Sequence, residues 1–438
     1  MKFNSAVHTK DYLLNHENDL TDLAKYSVEF ATSELAQDIS ILRVAEVAFI
    51  LAEHQPLWAI TPAAQSYELL IIHAEDEPDH TVAHHLARFQ QEWAISAAAN
   101  DYQILKIRNY EGKTVAHDLA QYQPNWLNSK ASSDYKILKM ADDSGVSVAH
   151  MLATNQENWL ASSAVQDYDI LLLADDYGNT VVHRLACNQK QWINSKAAND
   201  YEILKTCTNE KFTVAHSFAR YSPNWYQSKA ANDHSILLME TLSGESVAFF
   251  MTFHEECLSH ALIFQKSILT LEHNGKLLAE SLIIKYRQSH GIDFCKIAMK
   301  LISQGAAYKH SQFVEAWEVQ ELYERALVLI EDSIEPLLAL KHANALYSTC
   351  FYGNEQARSI NSPEMYEWQS VLTKCEKQIQ NVLNNHPQLW EVEFPVDLLC
   401  EPAENYFKQL KSAKCFHELR VDAVNDSADN PSLVHTIY

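Results

Sequence analysis

Apolar and polar residues along the middle of the chain follow a helical beat that stops and restarts at a fixed interval. In TVAHDLAQY, residues 114–122, the apolar residues Val115, Ala116, Leu119 and Ala120 fall on one stripe of a 3.6-residue helix. The same string returns as Val82-Ala83-His84, Val148-Ala149-His150, Val181-Val182-His183 and Val214-Ala215-His216. His84, His117, His150, His183 and His216 are therefore spaced by 33 residues, and Trp93, Trp126, Trp159, Trp192 and Trp225 each follow nine residues later. Asp101, Asp134, Asp167, Asp200 and Asp233 keep the same step. Three markers in one register predict a tandem repeat of short helical units.

The chain has only eight glycines, and Gly112, Gly145, Gly178, Gly244 and Gly275 occupy one position of the unit. That economy predicts a turn requiring positive φ. Lys211 stands in this slot in one unit, which predicts a differently shaped loop there. Thr81, Thr114, Ser147, Thr180, Thr213 and Ser246 come next, each placed to cap the Val-Ala-His helix. A second short helix should complete each unit, either across the Trp stretch or across the following Asp-Tyr-x-Ile-Leu stretch. The pattern fades outward: Val47-Ala48-Phe49 with Trp58 and Val247-Ala248-Phe249 carry Phe for His, and Gly275 with Leu278-Ala279 opens one more copy, ending at LISQGAAYKH. Degenerate ends are expected where a unit has one neighbour to bury against.

A 33-residue period with D-x-x-G-x-T-x-x-H-x-x-A resembles the ankyrin repeat, nearest in DDSGVSVAHMLA (142–153) and DDYGNTVVHRLA (175–186). The similarity covers residues 35–307. Two departures are Val in place of the first-turn Pro and a terminal Gly-Ala found only at Gly305-Ala306. The resemblance implies an all-α, ankyrin-like α-solenoid whose histidines are structural, each ring bonding the capping Thr and loop backbone. It also implies protein–protein interaction through loop tips and the exposed face of the first helix. In this numbering the partner-binding candidates are Tyr110, Glu111, Lys113, Tyr122, Asp143, Ser144, Asp176, Tyr177, Asn179, Asn209, Glu210, Phe212 and Tyr221. Arg88, Phe89, Gln121, Thr154, Asn155, Asn188, Gln189 and Arg220 extend the set. These positions vary while the framework repeats, and aromatic residues at tips are the kind that dominate interfaces.

Chemistry is hard to assemble from the same residues. Helices in contact lie about 8–10 Å apart, whereas zinc needs ligand nitrogens at about 2.0–2.1 Å, so neighbouring histidines are read as scaffold, not as a metal or catalytic row. The tryptophans are read as core. Asp142, Asp143, Asp175 and Asp176 lack the spacing of a calcium loop and read as turn residues. Cys295 near His290 is a weak hint of a thiol nucleophile, and no phosphate-binding glycine loop or G-x-S-x-G is present. No catalytic residue, metal or cofactor is expected.

Composition adds limits. The 438 residues carry a formal charge of −23, most of it in the first 260 residues, which argues against nucleic acid and leaves a basic protein surface as a possible partner. Eight scattered cysteines without C-x-x-C suggest reduced thiols in a cytoplasmic setting. No signal-peptide core and no membrane span are apparent, and the chain reads as soluble. An Asn/Gln/Lys-rich texture with near-identical units is similar to ankyrin-repeat effectors that intracellular bacteria deliver into host cells, a route needing no signal peptide.

Beyond the repeat, Phe313, Trp317, Leu322, Ala326 and Leu327 keep helical spacing, Ser362-Pro363 should open another helix, and 404–419 a further one. LYERAL has a slight tetratricopeptide flavour. The expected organisation is a helical cap (1–34), the repeat solenoid (35–307), a helical domain (308–425) and a polar, loose tail (426–438). The leading expectation is a non-enzymatic scaffold. The alternatives are an enzyme whose site lies in the C-terminal helices, with the solenoid selecting substrate, and an inhibitor that fills another protein's groove.

Overall fold

Each Val-Ala-His string forms a two-turn helix: Val82–Phe89, Val115–Tyr122, Val148–Asn155, Val181–Asn188 and Val214–Tyr221, with Val47–His54 before them and Val247–Met251 after. These helices pack side by side in sequence order. The computed structural model describes residues 2–73, 80–309, 314–390 and 401–414, and the chain packs as two units, Met1–Met251 and Thr252–Tyr438. The architecture is an all-α repeat solenoid.

The tip before each of the helices that begin at Val115, Val148, Val181, Val214 and Val247 is a tight turn closed by an isolated antiparallel bridge, Arg108↔Thr114 in the first of these units and Ala141↔Ser147 in the next. Asn109 Oδ1 accepts the Glu111 and Lys113 N–H groups at 3.1 and 2.9 Å, and Asp142 Oδ1 accepts those of Ser144 and Val146, both at 2.9 Å. The carboxylates at Asp142 and Asp175 are thus turn-forming. Gly112, Gly145 and Gly178 have φ between +73° and +79°, and a Cβ on any of them would press on the next unit's tip. Lys211 does not reshape its loop: its φ is +58°, and the same bonds close the turn, Lys211 N to Thr208 O at 2.9 Å and Thr208 N to Phe212 O at 3.0 Å. Ties to both neighbouring units, from Asn209 N to Tyr177 O and from Leu242 N to Glu210 O, hold the turn in a conformation that costs a non-glycine residue about 1–2 kcal/mol.

The second half of the unit is not one helix. After Val115–Tyr122 come 3₁₀ turns at Pro124–Asn128 and Ala131–Ser133 and then a single α-turn, Tyr135–Leu138. Both stretches considered from sequence are therefore used. The breaks sit at Ser129 and Asp134, whose backbones are extended. Asp134 Oδ1 accepts the Lys136 N–H at 2.7 Å, a local bond that restarts the helix instead of continuing it. Asp101, Asp167, Asp200 and Asp233 do the same.

In the second unit the copy opened by Gly275 differs. A two-residue turn, Asn274-Gly275, with φ of +51° and +71°, joins strands Glu272–His273 and Lys276–Leu277. Two longer helices follow, Leu278–His290, ended by Gly291 at φ +59°, and Phe294–Ser303, after which the chain turns at Gly305 with φ +72°. Three long helices come next among the described residues, Ala316–Glu331, Pro336–Ser359 and Met365–Asn385, and 401–414 is also helical. The buried stripe of Ala316–Glu331 runs through Val319, Leu322, Ala326 and Ile330, which leaves Trp317 off the stripe and 56% exposed. Met365–Asn385 starts two residues later than Ser362-Pro363 implies, with the Ser362 hydroxyl accepting the Glu364 N–H. Phe313, Cys400, the stretch 415–419 and the tail 426–438 lie outside the described residues.

Candidate functional site

Both ring nitrogens of each repeat histidine are committed to hydrogen bonds. In the unit of residues 109–138, Thr114 donates both its N–H (3.0 Å) and its hydroxyl (2.8 Å) to His117 Nδ1. His117 Nε2 lies 2.9 Å from the Val146 carbonyl, and a carbonyl only accepts, so the ring is the neutral Nε2–H tautomer. The bond reaches forward into the next unit. His84, His150, His183 and His216 repeat it to the carbonyls of Lys113, Asn179, Phe212 and Glu245 at 3.0–3.3 Å. Burial lowers the pKa of His84 to about 3 and those of His117, His183 and His216 to about 4, and lowers that of His150. Among the described residues no group of three or more His, Cys, Asp or Glu is placed to hold a metal ion.

The tryptophans are buried. Trp93 and Trp126 donate their indole N–H backward to the Ala64 and Ala99 carbonyls at 2.9 and 3.1 Å. The N–H groups of Trp159, Trp192 and Trp225 have no such partner among the described residues. Trp192 stacks instead on Phe218, with ring centroids 5.4 Å apart.

A second backward tie is absent from the sequence-derived set. Gln90, Gln123, Gln156 and Gln189, each just past its helix, donate Nε2 to a carbonyl in the last turn of the preceding unit's helix at 2.6–3.0 Å. Ser222 takes the place in the last copy, to the Ala186 carbonyl at 3.2 Å. Gln189 is therefore a buried framework residue and not part of the exposed helix face. Its signal was a glutamine recurring every 33 residues, always three positions before the tryptophan.

Six of the candidates, Glu111, Lys113, Asp143, Ser144, Thr154 and Tyr177, line a groove of about 620 Å³ between the tips and the two-turn helices of three consecutive units. Its walls include Glu111, Lys113, Asp142, Asp143, Ser144 and Tyr177 from the tips, and its floor includes Met151, Thr154 and Arg184. Glu111 and Lys113 pair at 2.7 Å, which lowers the glutamate pKa and raises that of the lysine. Arg184 lies 3.4 Å from the buried Asp175 carboxylate. Tyr110 and Tyr177 stand 66% and 70% exposed, and Asp143, Asp176, Asn209 and Glu210 are exposed beside them. Tyr122 and Tyr221 are exposed on the helices, with Arg88 and Arg220 over their rings at 5.8 and 5.3 Å. Two candidates are turned inward: Asn179 bonds Asp175, and Phe212 packs against His216 and Phe250 at 5.3 and 5.4 Å.

Beside the groove sits Asp118, which sequence reading passed over. Its carboxylate is buried, with Arg88 Nε 3.3 Å from Oδ1 and, among the described residues, no hydrogen-bond partner for Oδ2. Burial outweighs the arginine and pushes its pKa up to about 6.

The second unit has a smaller cavity of about 270 Å³, lined by Lys276, Glu280, Ile284, Arg287, Phe294 and Tyr308 among others. Arg287 bonds the buried Glu318 at 2.8 Å. Cys295 and His290 do not form a pair: Cys295 is buried, donates to the Glu318 carbonyl and has its pKa pushed up to about 12, while His290 lies 3.2 Å from Glu255. Among the described residues no helix is long and apolar enough to cross a membrane.

No protein-family model matches the chain, and a search of curated proteins returned no match.

Proposed function

We propose that the chain is a non-catalytic, ankyrin-type scaffold that captures a partner protein along the tips and the groove beneath them. The observation that supports this reading is the division of labour within the repeat. Histidine and glutamine are buried in ties between units and tryptophan is buried beside them, while varying residues, among them Glu111, Lys113, Asp143, Ser144, Thr154 and Tyr177, line much of a groove of about 620 Å³. That volume falls in the roughly 300–1,000 Å³ range of concave ligand sites, which leaves room for side chains presented by a partner. Two exposed tyrosines stand at its tips and supply large, rigid contact area. A cytoplasmic setting, whether that of the source cell or of a host cell, suits the scattered free thiols.

The test is affinity capture with the full chain. Tyr110→Ser combined with Tyr177→Ser should lose the captured partner while thermal melting stays unchanged. Equal recovery by wild type and variant would sink the reading. The enzyme alternative has the cavity of about 270 Å³ beside Glu280, Arg287 and Tyr308 in its favour. Retained capture by the tyrosine variant, with loss on Ile284→Arg, would move the binding site to that second unit.

A further inference from the structure

We propose that the five-histidine row is an acid-sensitive clamp: protonation of His84, His117, His150, His183 and His216 opens the N-terminus of each repeat helix and releases the tip of the following unit. The proposal is independent of which partner the tips bind.

The geometry leaves no room for a second ring proton. Nδ1 of each histidine faces two donors, the N–H and the hydroxyl of its Thr or Ser cap: 3.0 and 2.8 Å at His117, 3.1 and 2.7 Å at His150, 3.1 and 2.7 Å at His183. A proton on Nδ1 would set donor against donor. The hydroxyl can rotate away, but the backbone N–H cannot. Each histidine is also the third residue of its helix, inside the turn where unsatisfied N–H groups give the helix its positive end. A charged ring is therefore disfavoured by its hydrogen bonds, by the helix and by burial together. Once the ring turns out, its Nε2–H leaves the carbonyl it holds, at Lys113, Val146, Asn179, Phe212 or Glu245, and each of these immediately precedes a helix cap just after a tip.

The charges facing the rings do not rescue the protonated form. His84 faces His80, His73 and Arg88, all unfavourable to added positive charge. His117 faces Asp142 against Arg108 and Lys113, and His150 faces Asp175 and Asp142 against Arg184. His183 faces Asp175 against Arg184 and His150, and His216 faces Glu245. Asp142 and Asp175 are already engaged by the N–H groups of their own tips. Burial prevails in all five.

The sign follows. A histidine whose folded pKa lies below its unfolded value of 6.5 contributes stability that is present above pH 6.5. That contribution is lost as the pH falls toward the folded value, about 4 for three of the five. Each such group raises the unfolding constant by up to about tenfold per pH unit in that window. Five groups in one row of coupled units make the transition steep. Asp118, with its pKa raised to about 6, acts in the opposite sense, one group against five. The chain contains its own contrast at Phe49 and Phe249, which occupy the histidine position without a ring nitrogen.

The experiment measures the urea midpoint of the full chain by tryptophan fluorescence at pH 7.0, 6.0 and 5.2, with proton uptake on unfolding measured at each pH. The comparison is His117→Gln/His150→Gln/His183→Gln, since glutamine can accept and donate without titrating. Wild type should lose stability steeply between pH 6.5 and 5.2 and take up several protons. The triple variant should show a slope shallower by about three protons, whatever its absolute stability. Should the triple variant fail to fold, His150→Gln alone should lower the uptake by about one proton. A wild-type midpoint that does not change over this range, or a slope that the substitutions leave unaltered, would overturn the proposal.

Discussion

At the scale of single residues, the repeat is decided by groups that have one permissible state. Gly145 combines positive φ with a neighbour too close for a side chain, since a Cβ would lie 3.0 Å from Asp176 N and 2.8 Å from its Oδ1. Gly145→Ala should therefore cost more than about 1 kcal/mol in urea unfolding. Lys211 is the converse, strained at φ +58°. Lys211→Gly should raise stability by about 0.5–1 kcal/mol, the relief of strain exceeding the extra freedom glycine gives the unfolded chain. Asp118 makes a pH-dependent prediction. Its folded pKa of about 6 exceeds the unfolded value, so its contribution is full below about pH 4 and is lost as the pH rises through 6. Asp118→Asn should stabilise the protein at pH 7 by about 1–3 kcal/mol and by less at pH 5.2, where the buried carboxyl is mostly protonated. Chemical denaturation at the two pH values checks this, and equal shifts at both would contradict it. The glycine slot, the cap and the clamp histidine were all legible in the sequence, because each recurs at a fixed step. Asp118 was not. It occurs once, in a column otherwise filled by His85, Met151, Arg184 and Ser217, so no period announces it.

At the scale of elements, the two-turn helices followed directly from the apolar stripe and their caps. The second half of each unit could not be settled, because two patterns compete over the same residues. Trp126 carries a helical burial signal, while Ser129 and Asp134 offer the backbone local bonds that interrupt a helix. The result is a chain of single turns, stabilised less by its own ladder than by what it packs against. That places the weight of the junction on side chains that cross it. Gln156 Nε2 reaches the Ala120 carbonyl at 3.0 Å in a buried setting. Gln156→Leu should leave that carbonyl without its partner and cost about 1–3 kcal/mol, measurable as a lower melting temperature. A melting temperature equal to wild type would mean that the junction is held by packing alone. Gln189 shows why an exposed face is hard to assign by spacing: it follows the last helical residue, where the chain turns back toward the preceding unit.

At the scale of the whole molecule, the identical ties make one unit exchangeable for another. Deleting residues 148–180 joins Ser147 to Val181, so that a cap meets the first residue of a repeat helix in the original register. The shortened chain should fold with a lower melting temperature and one sharp transition, as nearest-neighbour stacking implies. A deletion half that long, out of register, should fail to give a cooperative melt. The solenoid as a class was readable from the period alone. The groove was only partly readable: its tip residues were picked out by their variability, but Met151 and Arg184 on the floor come from a helix face whose direction depends on how adjacent units are rotated, which no single unit encodes.

The constant reach of the ties also bears on how the chain finds its fold. The forward bond from each histidine always spans 29 residues, and the tip-to-tip bond always 32, as in Asp143 N to Glu111 O and Asp176 N to Ser144 O. No contact in this ladder asks the chain to close a long loop, so the entropic barrier to adding a unit is the same at every junction. Folding can start wherever two neighbours first meet and spread in both directions, at a rate set by one junction and not by the length of the row.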